Sequence, residues 1–439
     1  MKNVEDLPKG YKATELGVLP EEWDIGKLDQ IGELIRGVSY KDIDLSEKNQ
    51  SGFLPVLRAM NIQTGCLDLK GDLVFVRRGK ISEKQILKIG DIVIAMSSGS
   101  KSVVGKAAQL NENWNGSFGA FCAGFRPQSN AIDKEFIGFL FQTTVYRSYI
   151  EKSACGTNIK NLTIPHILNY PIPLPPLTEE HAIAATLRTV QEAKEKTDDV
   201  IAATKVLKAA MMKHLFRYGP VPPEEAERVA LKETEIGQVP EGWEVGQLKD
   251  YCSLIIDCPH STPHFIETGI LVIRTSNVRD GNLVFKTPSY ISEDEYKERI
   301  ERGEPQENDI LFTREAPIGE ACLVPTNTRL CLGQRMMLIR PDKSKMNPYF
   351  LMRSLYSEKI QNEMHKRGSG VTAKHLNVAD VKCLKVPVPP LPVQNKITSI
   401  LSSIDQKLAA DQSRKEALDT MFTSLLHDLM TARIRVSNH

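Results

Sequence analysis

The chain has 439 residues, a formal net charge of +1, 41% hydrophobic and 25% charged residues, a composition that suits a globular protein with more than one core. Near-neutrality excludes a histone-like polycation, so any affinity for nucleic acid must reside on particular faces. The eight cysteines are scattered with no CxxC pair, which argues against a disulfide scaffold; no apolar run approaches the roughly 20 residues of a membrane helix, so a cytoplasmic chain without signal peptide or membrane contact is expected.

Along the chain the first informative segment is Thr14-Glu15-Leu16-Gly17-Val18-Leu19-Pro20-Glu21-Glu22-Trp23, which returns as Thr234-Glu235-Ile236-Gly237-Gln238-Val239-Pro240-Glu241-Gly242-Trp243. Carried on to Leu28 and Leu248, eight of fifteen aligned positions are identical. Further matches follow in the same order: Val56-Leu57-Arg58 with Val272-Ile273-Arg274, Asp91-Ile92-Val93-Ile94 with Asp309-Ile310-Leu311-Phe312, Arg126-Pro127 with Arg340-Pro341, and two segments ending in Pro-Pro-Leu at Leu177 and Leu391. A period above 200 residues means a duplicated domain and not a solenoid. Within each copy the apolar runs are short, β-branched and bounded by Gly, Asn and Asp, which is how strands and turns are written. Helical stretches lie between them, at Phe136 to Tyr149 and Tyr349 to Met364. Each copy therefore reads as a mixed α/β (α+β-like) domain with a small, largely antiparallel sheet.

A long helix should follow each Pro-Pro-Leu. The first is expected from an N-cap at Thr178, with Glu179 and Glu180 at the positive end of its dipole, to about Phe216, before Gly219-Pro220. Its apolar seam is Ile183, Leu187 and Val190, then Ile201, Thr204, Met211 and Leu215, interrupted at Lys194 and Thr197. The second carries Ile397, Leu401, Ile404 and Leu408, then Leu418, Phe422, Leu425 and Leu429, interrupted at Asp411 and Lys415. Steps of four and three are a coiled-coil seam. A helix of about 38 residues spans roughly 57 Å, more than a domain of this size, so two such helices are expected to pair with each other, antiparallel, in a pseudo-twofold arrangement. The expected organisation is a recognition-type domain over 1–177, a helix over 178–218, a linker over 219–232, a second domain over 233–391 and a second helix over 392–433.

Candidate catalytic motifs fail one by one. Gly99 to Ala107 imitates a phosphate loop but has five residues between its glycines and no Ser or Thr after Lys106, where a P-loop requires four and a hydroxyl. Cys252, Cys258, His260 and His264 are close in sequence, but five residues separate the cysteines and Pro259 and Pro263 stiffen the segment, which is poor zinc spacing. Asn347-Pro348-Tyr349-Phe350 lacks the second proline of an amino-methyltransferase motif, Pro341-Asp342 is followed by no Glu-x-Lys, and the nine histidines support no Ser/His/Asp arrangement. No metal, catalytic residue or bound cofactor is expected.

Two α/β domains alternating with two heptad helices, opened by Pro-Glu-x-Trp and closed by Pro-x-Pro-Pro-Leu, resemble the specificity subunits of Type I restriction–modification systems over essentially the whole chain. The first domain is similar to the amino-terminal recognition domain of the K-family enterobacterial enzyme in Arg36 to Lys41, Leu73 to Val76, Ile94 to Lys106 and Ser117 to Cys122. In the second, Asp257 to Pro263 is similar to a loop recurring in such domains. The resemblance implies that each domain reads one half of a split double-stranded DNA target. It also implies that the helices set the spacing and dock two methyltransferase subunits, and that restriction subunits join them. S-adenosylmethionine, ATP and magnesium would then belong to those partners, and each methyltransferase would flip an adenine out of the duplex. The residues themselves leave open a fused methyltransferase–nuclease and a tandem protein-binding scaffold.

For DNA reading, phosphates need cations and base edges need Arg, Lys, Asn or Gln. In the first copy the polar loops supply Arg36, Ser39, Tyr40, Lys41, Arg58, Asn61, Ser97, Ser98, Lys101 and Lys106; in the second, His260, Ser261, Thr262, Arg274, Asn277, Arg314, Gln334, Arg335, Thr372 and Lys374. Arg58 and Asn61 occupy the same places as Arg274 and Asn277, and a residue shared by two domains that read different sequences suits a turn or phosphate role. The unshared Ser97, Ser98, Lys101, His260, Arg314, Gln334 and Arg335 are the better candidates for base contacts.

Overall fold

A computed structural model describes residues 7–63, 65–100, 102–128, 132–153, 160–285, 287–368 and 375–436. The chain forms two compact units: residues 1–198 with 413–439, and residues 199–412. Both long helices, Leu177–Tyr218 and Leu391–Met430, contribute one half to each unit.

The centre of the first unit is the strand Ile92–Ala95. It lies antiparallel between Ala107–Gln109 and Cys122–Pro127, and Gly32–Arg36 completes the four-stranded sheet. All four residues of the central strand are buried, because both faces of the sheet are covered. Ile92 and Ile94 point to one side with Phe125, Phe136 and Leu187. Val93 and Ala95, alternating as a strand must, point to the other with Leu57 and Phe118. The cover on that side is a second sheet, Ser117–Phe118, Phe53–Leu57, Val74–Arg77 and Leu45–Ser46. It is mixed: Val56 and Leu57 run parallel to Ser117 and Phe118, a departure from the expected antiparallel pattern.

The second unit repeats this plan. Strand Ile310–Arg314 is central, with Ile310 and Phe312 facing the helices and Leu311 facing the smaller sheet, where Ile270–Ile273 again pairs in parallel with Leu330–Leu332. The segment 219–232, read from sequence as a linker, is partly structured. Pro223–Arg228 is a 3-10 turn and Leu231–Lys232 pairs with Val239–Pro240, so sheet structure begins before Glu233.

The residues matched between copies by sequence turn out to be partners. Arg126 donates Nε and Nη2 to the two carboxylate oxygens of Asp91 at 2.9 and 2.6 Å. Arg340 does the same to Asp309 at 2.8 and 2.7 Å. Each aspartate also accepts the amide three residues before it, from Lys88 or Gln306. Two parallel charge-assisted bonds between a partly buried arginine and a buried aspartate fix the strand ends to the turns that enter them.

Each helix begins one residue earlier than expected, and its first amides are received by proline carbonyls. Pro176 accepts from Glu179 and Glu180, and Pro390 from Val393 and Gln394. Thr178 therefore lies inside the first turn and is not the N-cap. The first helix ends as predicted, with Gly219 in left-handed geometry (φ 79°) and its amide on Leu215. The second ends at Met430, three residues short of 433.

Within each unit the helix halves do pair. In the first, Ile183, Leu187 and Val190 share a core with Phe422, Leu426 and Leu429, with Leu418 and Leu425 at its edge. Ion pairs Lys194–Asp419 (2.7 Å) and Asp198–Lys415 join opposite chain directions, which makes the pairing antiparallel. In the second, Met211, Met212 and Leu215 meet Ile397, Ile400 and Leu401, and Lys208 pairs with Asp405 at 2.7 Å. Ile201 and Leu408 are buried and Ile404 is half-buried. Thr197, where the heptad lapses, and Thr204, on the seam, are buried and return their hydroxyl protons to Ala193 and Val200 carbonyls.

Candidate nucleic-acid interface

In the first unit, strand Gly32–Arg36 leads into the polar segment Gly37 to Lys41. Gly37 donates to Cys122 O (3.2 Å) and Val38 to Phe118 O (2.7 Å). A Cβ on Gly37 would lie 2.0 Å from Gly119 O, so only glycine permits this approach. Beside it, the turn Gly119 to Phe121 is held from three directions. Gly119 donates to Leu57 O (2.9 Å), Cys122 donates to Gly119 O (2.8 Å), and Phe121 O accepts from Met96 (2.8 Å) and Ser97 (3.3 Å).

Ser97 and Ser98 form a short strand against Lys160–Asn161. The loop after them folds back on itself: Ser100 Oγ meets Ser102 Oγ at 2.8 Å, and the Lys106 carbonyl accepts from Ala95. Tyr40 is half-buried against the Gly119 turn; burial raises its pKa, opposed by the nearby Arg58 charge. Arg58 itself pairs with Asp72 at 2.7 Å. Arg36, Ser39, Tyr40, Lys41, Arg58, Ser97 and Ser98 thus belong to one group of loops, with Lys106 at its base. Lys101 lies outside the described residues.

The second unit assembles the equivalent loops with different chemistry. Strand Cys252–Asp257 leads out, and Cys258 donates to Met336 O at 3.1 Å. Asp257 sits between Arg314 (3.2 Å) and His260 (3.3 Å). Gln334 Nε2 donates to His260 O (2.9 Å) and Thr262 Oγ1 (3.2 Å), tying two loops together. Arg335 occupies the turn tip with φ 68° and faces Glu315 at 3.4 Å. Arg274 is exposed over the Phe265 ring at 5.6 Å. Thr372 and Lys374 lie outside the described residues.

Some candidates prove to be supports. Asn61 and Asn277 are buried; each accepts its own loop's amide, from Arg58 (2.9 Å) and Arg274 (3.0 Å), and donates to a carbonyl, Asp72 or Val284. Their amides close the turn that presents the arginine and do not face outward. Arg314 is largely covered and donates to Leu376 O as well as pairing with Asp257, so it is a strut between loops. Ser261 receives the buried Arg299 on both its hydroxyl and its carbonyl at 3.3 Å. Arg299 was invisible to sequence reading because it lies on the distant helix Glu293–Arg299. Phe121, 70% exposed, has no polar group to mark it as a candidate in the sequence; its one signal there is its place in the segment Ser117 to Cys122, which carries the family resemblance. Among the described residues no three His, Cys, Asp or Glu side chains converge as a metal set, and no helix is long and apolar enough to cross a membrane.

The arrangement offers two outward clusters of hydroxyl, amide, imidazole and guanidinium groups on rigid sheet ends, which is equipment for contacting a polar surface. Comparison with known proteins places it. The family model for the Type I restriction modification DNA specificity domain matches twice, over residues 20–201 and 240–420. The specificity subunit of the type I restriction enzyme EcoKI from Escherichia coli K12 is 31% identical over 87% of this chain and 82% of its own length. That of StySPI from Salmonella potsdam is 41% identical over 40% of this chain and 37% of its own. In fold, the S subunit of a type I restriction–modification system from M. genitalium superposes with a TM-score of 0.60 at 15% identity, over 95% of this chain and 97% of that one. With its domain duplicated across most of its length, this chain belongs to the Type I restriction–modification specificity subunits.

Proposed function

We propose that the chain reads a two-part duplex target, one half with the loops around Tyr40, Ser97 and Phe121, the other with those around His260, Gln334 and Arg335. The observation that carries this is the pairing of a common scaffold with unlike loops. The Asp–Arg clamps and turn-closing asparagines recur in both units, while Phe121 stands where Arg335 does and Ala120 where Gln334 does. Two domains that read the same half-site would have no reason to differ there. Specificity is carried by base-edge contacts, whereas shared cations such as Arg58 and Arg274 suit phosphates.

The chain contributes no catalytic group and holds no cofactor. Two methyltransferase subunits dock on it and bring S-adenosylmethionine; restriction subunits bring ATP and magnesium, all in the cytoplasm. The long helices, continuous from one unit into the other, set the gap between half-sites. Methylome sequencing of cells expressing this chain with its methyltransferase tests the reading. The expected result is adenine methylation at a bipartite motif with a fixed unread gap; a single contiguous motif would refute it. Inserting seven residues into both long helices should lengthen the gap.

A further inference from the structure

Phe121 is an apolar side chain presented to solvent on a fixed mount. Large apolar residues are usually buried, and the rest of its turn is well satisfied. Its carbonyl takes two amides, from Met96 and Ser97, and the turn is closed by Gly119 and Cys122. The backbone of this tip is therefore set before any partner arrives, so little ordering entropy opposes a contact made by the ring. Around it stand Tyr40, Ser97 and Ser98, which have hydrogen-bonding groups; Phe121 has none. In the second unit the same position is Arg335, whose guanidinium faces Glu315 and carries donors of the kind that pair with guanine.

Resting on the DNA-reading function above, we infer that the Phe121 ring contacts the C5 methyl of a thymine in one half-site. At a base edge in the major groove a benzyl group is complemented by an apolar feature, and the thymine methyl is that feature. Loss of the ring would then weaken binding at one base pair and leave the other half-site untouched.

The test uses the chain assembled with its methyltransferase subunits and the duplex defined by the methylome. Each thymine in turn is replaced by deoxyuridine, which deletes only the C5 methyl, and affinity is measured for wild type, Phe121→Ala and Phe121→Leu. Wild type should lose about fourfold at one position, the worth of one buried methyl. Phe121→Ala should lose at least as much on the thymine duplex and be indifferent to the replacement, while Phe121→Leu keeps part of the sensitivity. Phe121→Ala binding as tightly as wild type overturns the inference, as do undiminished deoxyuridine sensitivity in Phe121→Ala and a wild type indifferent to every replacement. A wild-type complex that shows no bipartite target at all would instead sink the DNA-reading function, whatever Phe121 does.

Discussion

The junction between recognition domain and long helix is built twice with the same geometry, once from ionisable side chains and once from neutral amides. In the first unit Glu180 accepts the Asp133 amide at 2.7 Å, and Asp133 accepts from Phe136 and meets His181 at 3.3 Å. In the second, Gln394 accepts the Asn347 amide at 2.7 Å, Asn347 accepts from Phe350, and Asn395 replaces the histidine. Gln394 spends its own N–H groups on the Lys345 and Pro389 carbonyls. Glu180 can supply such a donor only when protonated. Burial, reinforced by the Asp133 charge, pushes its pKa up to about 7. Away from the junction the units differ in packing too: a crevice lined by Val145, Met430 and Thr431 in the first measures about 30 Å³, and one lined by Lys359, Phe216 and Arg217 in the second about 880 Å³. Hydrogen-bond geometry is held constant between the units; charge and packing around it are free to drift.

The sharpest way to break this comparison is at the clamps both units share. Arg126→Met and Arg340→Met each strand a buried aspartate, and each should cost about 3–5 kcal/mol in urea denaturation; if one were harmless, the two frames would not be equivalent. The junction gives a smaller, signed effect. Because the folded pKa of Glu180 lies above the unfolded value, its stabilising contribution is complete below about pH 4.5 and is lost as pH rises through about 7. Glu180→Gln should therefore leave melting unchanged near pH 4 and stabilise the first unit by roughly 1–3 kcal/mol at pH 8. Gln394→Glu should do the reverse in the second unit. A Glu180→Gln gain equal at both pH values would mean that the charge is irrelevant. Smallest of all, Lys194→Ala should cost under about 1 kcal/mol in the same melts, since Asp419 remains partly exposed.

The sequence disclosed the duplication, the central strands and the helical seams, because each is a pattern local enough to be read along the chain. It also singled out Asp91, Asp309, Arg126 and Arg340 as matching pairs, though that each aspartate binds the arginine 35 or 31 residues away has no local signal. The parallel pairing of Val56 with Ser117 was hidden for the same reason. Among the site residues, Asn61 and Asn277 misled as readers because an amide that closes a turn looks like one that reads adenine until its burial is known. Those turns leave Arg274 exposed over the Phe265 ring and Arg58 half-buried against Asp72.

One feature of the first unit bears on the order in which the molecule is made. Its core includes Phe422, Leu426, Leu429 and Met430, and Arg435 donates to Glu179, which also receives the Trp23 indole. Part of the first unit's core thus comes from residues that follow the whole of the second unit in the chain. Although domains commonly mature from the N-terminus during translation, here the ribosome must release the second unit's residues before the first can close. Until then the helix face of Ile183, Leu187 and Val190 lacks its cover of Phe422, Leu426 and Leu429.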